Sequence, residues 1–200
     1  MKNDIKMIIG IVALLIVLFG CLILFKKKEV KEEMKDTYNV IITVKNYGDI
    51  ELELDAKTAP ITVNNFINLA KSGFYDGLTF HRIMEGFMIQ GGDPLGTGMG
   101  GSENKIKGEF KNNGIENNIS HVRGVISMAR NGYDMNSASS QFFIVHQDST
   151  FLDGDYAAFG HVTKGMEIVD KIASDAKPID DNGTIPKSEQ PVIETIKVVE

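Results

Sequence analysis

Residues 80–93 read FHRIMEGFMIQGGD, and this stretch predicts two β-strands on either side of a short turn. Side chains alternate between the two faces of a strand, so Arg82 and His81 point to opposite faces, whereas Met88 and Gln90 share a face. The stretch therefore brings a guanidinium, large apolar side chains and an amide close together on one sheet.

The sequence on both sides of this stretch predicts mainly β structure. Strand-like runs recur between turns rich in Gly, Asn and Asp, and only two segments have helical periodicity. The first helix begins at Pro60, with apolar residues at three- and four-residue steps, and ends at Gly73; the second covers Met166 to Ala173. The eight predicted strands are residues 40–45, 50–54, 78–82, 87–90, 124–128, 141–145, 157–161 and 192–199.

Eight short strands with two helices favour a closed antiparallel barrel, because closure leaves no exposed sheet edge and the helices then plug or flank the barrel. The length of 200 residues, with 42% hydrophobic and 24% charged residues, fits one globular domain plus an appendage. We predict a mainly β fold, a closed eight-stranded barrel with two flanking helices, preceded by one transmembrane helix.

Charge excludes one class of partner. Residues 1–37 hold 7 of the 21 Lys and Arg and 5 of the 27 Asp and Glu, so the remainder carries 14 minus 22, or -8. An acidic domain without a basic stripe is repelled by phosphate backbones, and no nucleic-acid partner is expected.

The N-terminal segment predicts a membrane anchor. Residues 7–25 form an uncharged run of nineteen residues, which as a helix spans about 28 Å, close to the hydrocarbon core of a bilayer. A cleaved signal peptide is the alternative, although the run is long for one and no small-residue cleavage site follows. A third interpretation makes Cys21 a lipoprotein processing site, which the bulky Phe19 disfavours.

The sidedness of the anchor is open. More lysines follow the apolar run than precede it, and a simple count keeps the domain in the cytoplasm, yet exported proteins also begin with a short basic stretch. We favour an extracytoplasmic domain. The predicted organisation is a basic tail at 1–6, an anchor at 7–25, a charged linker at 26–37 and a single domain at 38–200.

Three further blocks later in the sequence also combine apolar and polar side chains over short stretches. Residues 127–131 read SMARN, 140–144 read SQFFI and 151–154 read FLDG. In order and spacing, with FHRIMEGFMIQGGD, they resemble the cyclophilin family of peptidyl-prolyl cis-trans isomerases over roughly residues 38–200. The resemblance implies an eight-stranded barrel that binds proline-containing segments of unfolded or exported proteins in a surface groove.

The resemblance also implies a role for individual positions. The family's catalytic arginine falls on Arg82. The proline pocket falls on Phe87, Met88, Phe143 and Leu152, with Phe151 and Tyr156 on its far wall, and the remaining groove contacts fall on Gln90, Ala129, Arg130, Asn131 and Gln141.

Two positions depart from the best-known members, which carry Trp where Phe151 stands and His where Tyr156 stands. The family's Trp donates an indole N–H to cyclosporin, and Phe has no such donor, so cyclosporin binding is predicted to be weak. Tyr156 keeps an aromatic body with a polar tip, which preserves the wall. A non-catalytic peptide-binding or chaperone module on the same fold is the alternative function.

Other patterns predict structural roles. Adjacent Phe142 and Phe143 must face opposite sides of one strand, and we assign Phe142 to the core and Phe143 to the groove. The glycine-rich run at 96–101 predicts a loop beside the groove, because it lacks the following helix of a dinucleotide fingerprint. The four histidines have no metal-ligand spacing, so neither a metal site nor a cofactor is expected.

Overall fold

The computed structural model describes residues 35–199. All eight predicted strands and both predicted helices are present, with ends that differ by a few residues from the sequence pattern. In chain order they are β1 Thr37–Val44, β2 Gly48–Asp55, α1 Pro60–Lys71, β3 Thr79–Met84, β4 Met88–Asp93, β5 Val125–Met128, β6 Phe142–Val145, β7 Ala158–Lys164, α2 Met166–Asp175 and β8 Ile193–Val199.

The strands form one curled sheet in the order β3-β4-β6-β5-β7-β2-β1-β8, and the neighbours are antiparallel. Its two edges meet where Phe80 N donates to Pro191 O at 2.9 Å and Ile193 N donates to Leu78 O at 2.8 Å. β3 and β8 have no continuous ladder between them in the described chain. The predicted closed barrel is therefore a curled sheet whose edges are joined by a short contact.

The interior of the sheet is filled by a large apolar cluster to which α1 contributes one face. Phe66 of α1 is fully buried, and its ring lies 5.2 to 5.4 Å from the rings of Tyr75, Phe142 and Phe159. Tilted and edge-to-face contacts of this kind add to the free energy gained from burial alone. The apolar face that the sequence predicts for this helix is therefore the face that packs against the sheet.

The first turn of α1 is fixed by a distant carboxylate. Glu109 is buried, and its two oxygens accept hydrogen bonds from Ile61 N at 3.0 Å and Thr62 N at 2.7 Å. The first N–H groups of a helix have no partner within the helix, and its dipole favours an anion there. Glu109 therefore replaces the local cap that Ala59 cannot provide.

Strands β4, β5 and β6 separate two apolar clusters. Alternate residues face the interior, among them Ile89, Ile126 and Phe142, while Met88 and Phe143 point to the other side of the same strands. Phe142 and Phe143 take the opposite faces that alternation predicts. The second cluster, on the outer face, forms the base of the candidate site.

The membrane anchor predicted at residues 7–25 lies outside the described residues. Within 35–199 no helix is long and apolar enough to cross a bilayer. β1 begins at Thr37, which is the last residue of the predicted linker.

Candidate active site

Arg82 is fixed by hydrogen bonds to uncharged acceptors. It lies opposite Gln90 in the β3–β4 pair, and its Nη1 donates to the Gln90 side-chain oxygen at 3.2 Å. Its Nε donates to the main-chain oxygen of Asn182 at 2.7 Å, and its two Nη atoms lie near the sulfur atoms of Met84 and Met88. The guanidinium is thus oriented without being neutralised.

The same guanidinium lies beside an aromatic ring, with its Cζ 5.8 Å from the ring centre of Phe87. Partial burial lowers the pKa of Arg82 from its ordinary value, while Tyr156 and Asp180 act in the opposite direction. An arginine remains charged in proteins across the physiological range. A permanent cation therefore stands at the entrance of an apolar cavity.

This first cavity encloses about 150 Å³. Met88, Phe143 and Leu152 are almost completely buried and form its apolar base. The structure brings together nine of the twelve residues that the sequence assigns to the site. They are Arg82, Phe87, Met88, Gln90, Ala129, Arg130, Phe143, Leu152 and Tyr156.

The ring of Phe143 is supported from behind by a buried imidazole. His121 stacks on it at 6.0 Å between ring centres with an interplanar angle of 17°. Burial lowers the pKa of His121, although Asp153 acts in the opposite direction. A neutral imidazole donates from Nδ1 to Asp153 at 2.8 Å and accepts at Nε2 from the Ser127 hydroxyl at 3.0 Å, which is the tautomer that this network favours.

Asp153 belongs to the hydrogen-bond network behind the Phe143 ring. Its carboxylate accepts hydrogen bonds from the Ser120 hydroxyl and from both His121 N and His121 Nδ1. The pairing joins the FLDG motif to the segment before β5, and so fixes the support of the Phe143 ring.

Phe151 lies at the rim and does not line the first cavity. Its side chain is 72% exposed, and its ring centre lies 5.5 Å from that of Phe87. The far wall predicted at this position is consequently an exposed ring beside the entrance, whereas Tyr156 lines the cavity and contacts Phe143 edge-on at 6.0 Å.

A second cavity of about 430 Å³ adjoins the first and shares Gln90, Ala129 and Arg130 with it. The two remaining predicted groove residues, Asn131 and Gln141, lie here. The glycine-rich run at 96–101 contributes one wall, so its predicted position beside the groove is confirmed. The other lining residues are Gly98, Met99, Gly100, Gly101, Ser102, Lys105, Ser137 and Ser139.

Two side-chain amides connect the cavities. The Gln90 oxygen accepts from Arg82, so its Nε2 donates to the Gln141 oxygen at 2.9 Å, and Gln141 Nε2 donates to the carbonyls of Gly98 at 3.1 Å and Gly100 at 2.7 Å. Arginine has donors only, which fixes the direction of every bond in this series. The orientation of Arg82 is thereby linked to the glycine-rich wall.

Asp93 fixes the conformation of the glycine-rich wall. Its buried carboxylate accepts hydrogen bonds from the N–H groups of Leu95, Thr97 and Gly98 at 2.6 to 2.9 Å. Burial raises the pKa of Asp93, but these donors outweigh it and hold the pKa below its ordinary value. A Cβ at Gly100 would collide with the Asp93 carboxylate, so this close approach requires glycine.

Several of the residues that form or support the site could not be predicted from the sequence. Asn182 and Glu109 act across long chain separations, and neither belongs to a motif. Lys105 lies in a segment without periodicity. Among residues 35–199 no group of three or more His, Cys, Asp or Glu side chains is arranged to hold a metal ion.

The family model for cyclophilin-type peptidyl-prolyl cis-trans isomerases matches residues 39–198 of the sequence. The chain belongs to this family. The match includes every element of the curled sheet and nearly the whole described chain, so the cyclophilin assignment rests on the entire domain and not on the motifs alone.

Named relatives support the cyclophilin assignment. A peptidyl-prolyl cis-trans isomerase of Helicobacter pylori is 47% identical over 151 residues, which cover 74% of this chain and 88% of the relative. Peptidyl-prolyl cis-trans isomerase A of Dickeya dadantii is 43% identical over 144 residues, covering 68% of this chain and 70% of the relative. The family activity, cis-trans isomerisation of X-Pro bonds, is therefore the activity of this enzyme.

A solved structure shares the fold. The cyclophilin-type isomerase of Cryptosporidium parvum, crystallised in the presence of the dipeptide Ala-Pro, superposes with a TM-score of 0.71 at 31% identity. The superposition covers 81% of this chain and 99% of that one.

Proposed function

We propose that this cyclophilin uses Arg82 and the first cavity to catalyse rotation about X-Pro bonds of unfolded proteins at a membrane surface. The observation that carries the proposal is a permanent guanidinium, without an ion pair among residues 35–199, on the wall of a small cavity with an apolar base. Binding of proline-containing segments is further supported by the related isomerase that was crystallised with Ala-Pro.

The chemistry requires no bond to break. An X-Pro amide resists rotation because the nitrogen lone pair is delocalised into the carbonyl, with a barrier of about 18 to 20 kcal/mol. Catalysis must therefore bind the twisted amide more tightly than either planar isomer. A fixed guanidinium favours the twist by donating to the nitrogen lone pair or to the prolyl carbonyl oxygen, and Arg82 is placed for that role.

The apolar cavity supports the same step. A pyrrolidine ring inserted against Met88 and Phe143 anchors one side of the bond while the other side turns. Exclusion of water from this cavity strengthens the field of the guanidinium, since electrostatic interactions weaken as the local dielectric constant rises. Met88 is unbranched and flexible, which suits it to both ring geometries.

The test is exchange NMR on an Ala-Pro peptide with the full-length chain in a nonionic detergent. We expect acceleration by the unmodified chain and a loss of at least about 100-fold for Arg82→Ala, in the range for removal of one preorganised donor. Arg123→Ala is the matched control, because Arg123 pairs with Asp170 on the surface. Equal activity of Arg82→Ala and Arg123→Ala would remove Arg82 from the mechanism.

The same measurement separates catalysis from simple holding. If the unmodified chain binds proline peptides without accelerating exchange, the fold acts as a peptide-binding or chaperone module. The intact cavity and the oriented guanidinium favour catalysis.

We propose further that residues 7–25 anchor the enzyme in the cell membrane with its domain on the extracytoplasmic side. Protease added to intact cells should then degrade the domain; protection until lysis would assign it to the cytoplasm. Lipoprotein processing at Cys21 is tested separately, since a lipidated chain loses residues 1–20 and gains acyl mass.

A further inference from the structure

Three arginines are present in the chain, and their partners differ. Arg123 forms two short contacts with the carboxylate of Asp170, both at 2.8 Å. Arg82 and Arg130, which line the cavities, form no ion pair with any residue in 35–199. Because paired carboxylates are the usual partners of a guanidinium, this difference sets the groove apart from the rest of the surface.

Arg130 shows the absence of a paired carboxylate within residues 35–199 most clearly, because the groups that contact its guanidinium are uncharged. Its Nε donates to the main-chain oxygen of Asp155 at 2.8 Å, and its Nη1 donates to the main-chain oxygens of Asn131 and Gly132. Its Cζ lies 4.9 Å from the ring centre of Tyr156 and 5.3 Å from that of Phe110. Carbonyls and rings orient the cation but leave its charge uncompensated.

The second cavity adds one more cation. Lys105 lines it, and its nearest carboxylate is Asp134, with 3.9 Å between Nζ and Oδ2 and side chains that are 65% and 50% exposed. An exposed pair at this separation is weak and is screened by salt. Neither cavity has a carboxylate in the part of its wall that residues 35–199 form.

The charge on the cavity walls is opposite in sign to the net charge of the domain. Residues 38–200 carry a net charge of -8, yet the charged residues on the walls of the two cavities are Arg82, Arg130 and Lys105. A concave surface lined by one sign of charge concentrates ligands of the opposite sign. The net charge of the domain has the same sign as such ligands, so the cavity walls differ from the domain average.

We infer that the second cavity selects substrates by charge, and that the enzyme prefers proline segments with Asp or Glu one or two residues from the proline. The inference rests on the proposed function, because the first cavity must hold the proline. The cavities share Gln90, Ala129 and Arg130, so a neighbouring side chain of an extended peptide, at about 3.3 Å per residue, reaches the second one.

The test uses peptides that keep the Ala-Pro bond constant. Catalysed exchange is measured for Ala-Glu-Ala-Pro-Ala, its Gln and Lys counterparts, and the three mirrored peptides with the variable residue after proline. Each rate is corrected for the uncatalysed rate of its own peptide. At about 30 mM salt we expect the Glu peptide of one series to react about fivefold faster than the Gln peptide, with the Lys peptide slowest, and this spread to shrink at about 500 mM salt.

Variants assign the effect to the cavity. Lys105→Glu should lower the ratio of Glu to Lys peptide rates at least about fivefold, since it replaces an attraction with a repulsion. Lys197→Glu, an exposed position on β8 that changes net charge equally, should leave that ratio unchanged. Circular dichroism checks that both variants are folded.

The outcomes distinguish the two proposals. Equal rates for Glu, Gln and Lys peptides in both series, with all of them accelerated, would overturn charge selection and leave the isomerase proposal intact. An equal change of ratio in Lys105→Glu and Lys197→Glu would assign the preference to overall charge and also overturn it. No acceleration of any peptide would overturn the proposed function itself.

Discussion

The two adjoining cavities differ in what surrounds them. The first is small and has an apolar base, where Phe143 is supported by the stacked, buried imidazole of His121. The second is nearly three times larger, and a glycine-rich loop fixed by hydrogen bonds to Asp93 forms one of its walls. A ring needs only a dry, rigid recess, whereas variable neighbouring residues need polar partners.

This contrast divides the work of the groove. In the proposed mechanism every substrate offers the same pyrrolidine ring, so the first cavity determines whether a reaction occurs. Residues beside the proline vary, so in the same proposal the second cavity determines which segments are preferred. Changes in the first should therefore affect turnover on all peptides, and changes in the second should affect the order of preference.

The largest effect is expected for Phe143→Ala. Removal of a buried ring costs about 3 kcal/mol of unfolding free energy, and loss of the anchoring surface should lower exchange on every peptide about 100-fold. Phe142→Ala, on the other face of the same strand, should cost as much stability with a smaller loss of turnover. Urea unfolding and exchange NMR measure both, and equal turnover in the two variants would contradict the division.

Asp93→Asn should have the next largest effect. An amide oxygen accepts more weakly than a carboxylate, so the variant should lose about 2 kcal/mol of unfolding free energy. Because its partners form the wall of the second cavity, the relative rates for different peptides should change more than the rate for Ala-Pro itself. A uniform loss across all peptides would place the effect of Asp93 in the first cavity.

Phe151→Trp tests the altered rim. An indole N–H restores a donor beside the entrance, and one hydrogen bond of about 1 kcal/mol corresponds to roughly fivefold tighter cyclosporin inhibition. Turnover on Ala-Pro should change little, since Phe151 does not line the first cavity. Nanomolar inhibition of the unmodified enzyme would show that the missing donor is unimportant.

The smallest effect concerns pH. Burial lowers the pKa of His81 and His121 below the ordinary 6.5, so the unfolded chain binds more protons than the native one near that pH. Stability is therefore full above about pH 6.5 and falls as pH decreases through the lowered pKa values. Urea midpoints at pH 7 and 5 should show this fall; His121→Gln should reduce it, and His161→Gln, at an exposed position, should not.

The sequence predicted the elements of the fold well because the relevant patterns are local. Strand alternation is enough to send Phe142 and Phe143 to opposite faces, and helical periodicity is enough to locate both helices. Closure of the sheet was the exception, since the number of strands does not determine whether the two edges pair along their length.

The residues that line the cavities were predictable only where a sequence motif contained them. Arg82 and the residues of the first cavity lie within recognisable blocks, whereas the groups that orient them do not. The carbonyl of Asn182 reaches Arg82 across 100 residues, and the pairing of His121 with Asp153 joins separate loops. Such contacts depend on tertiary packing and leave no periodicity in the sequence.

The apolar clusters on the two faces of β4, β5 and β6 have no residue in common. Substitutions at sites without shared partners generally have additive effects on stability. The outer face can therefore change in evolution without opening voids inside the curled sheet. The binding properties of the groove and the stability of the core can accordingly be inherited separately.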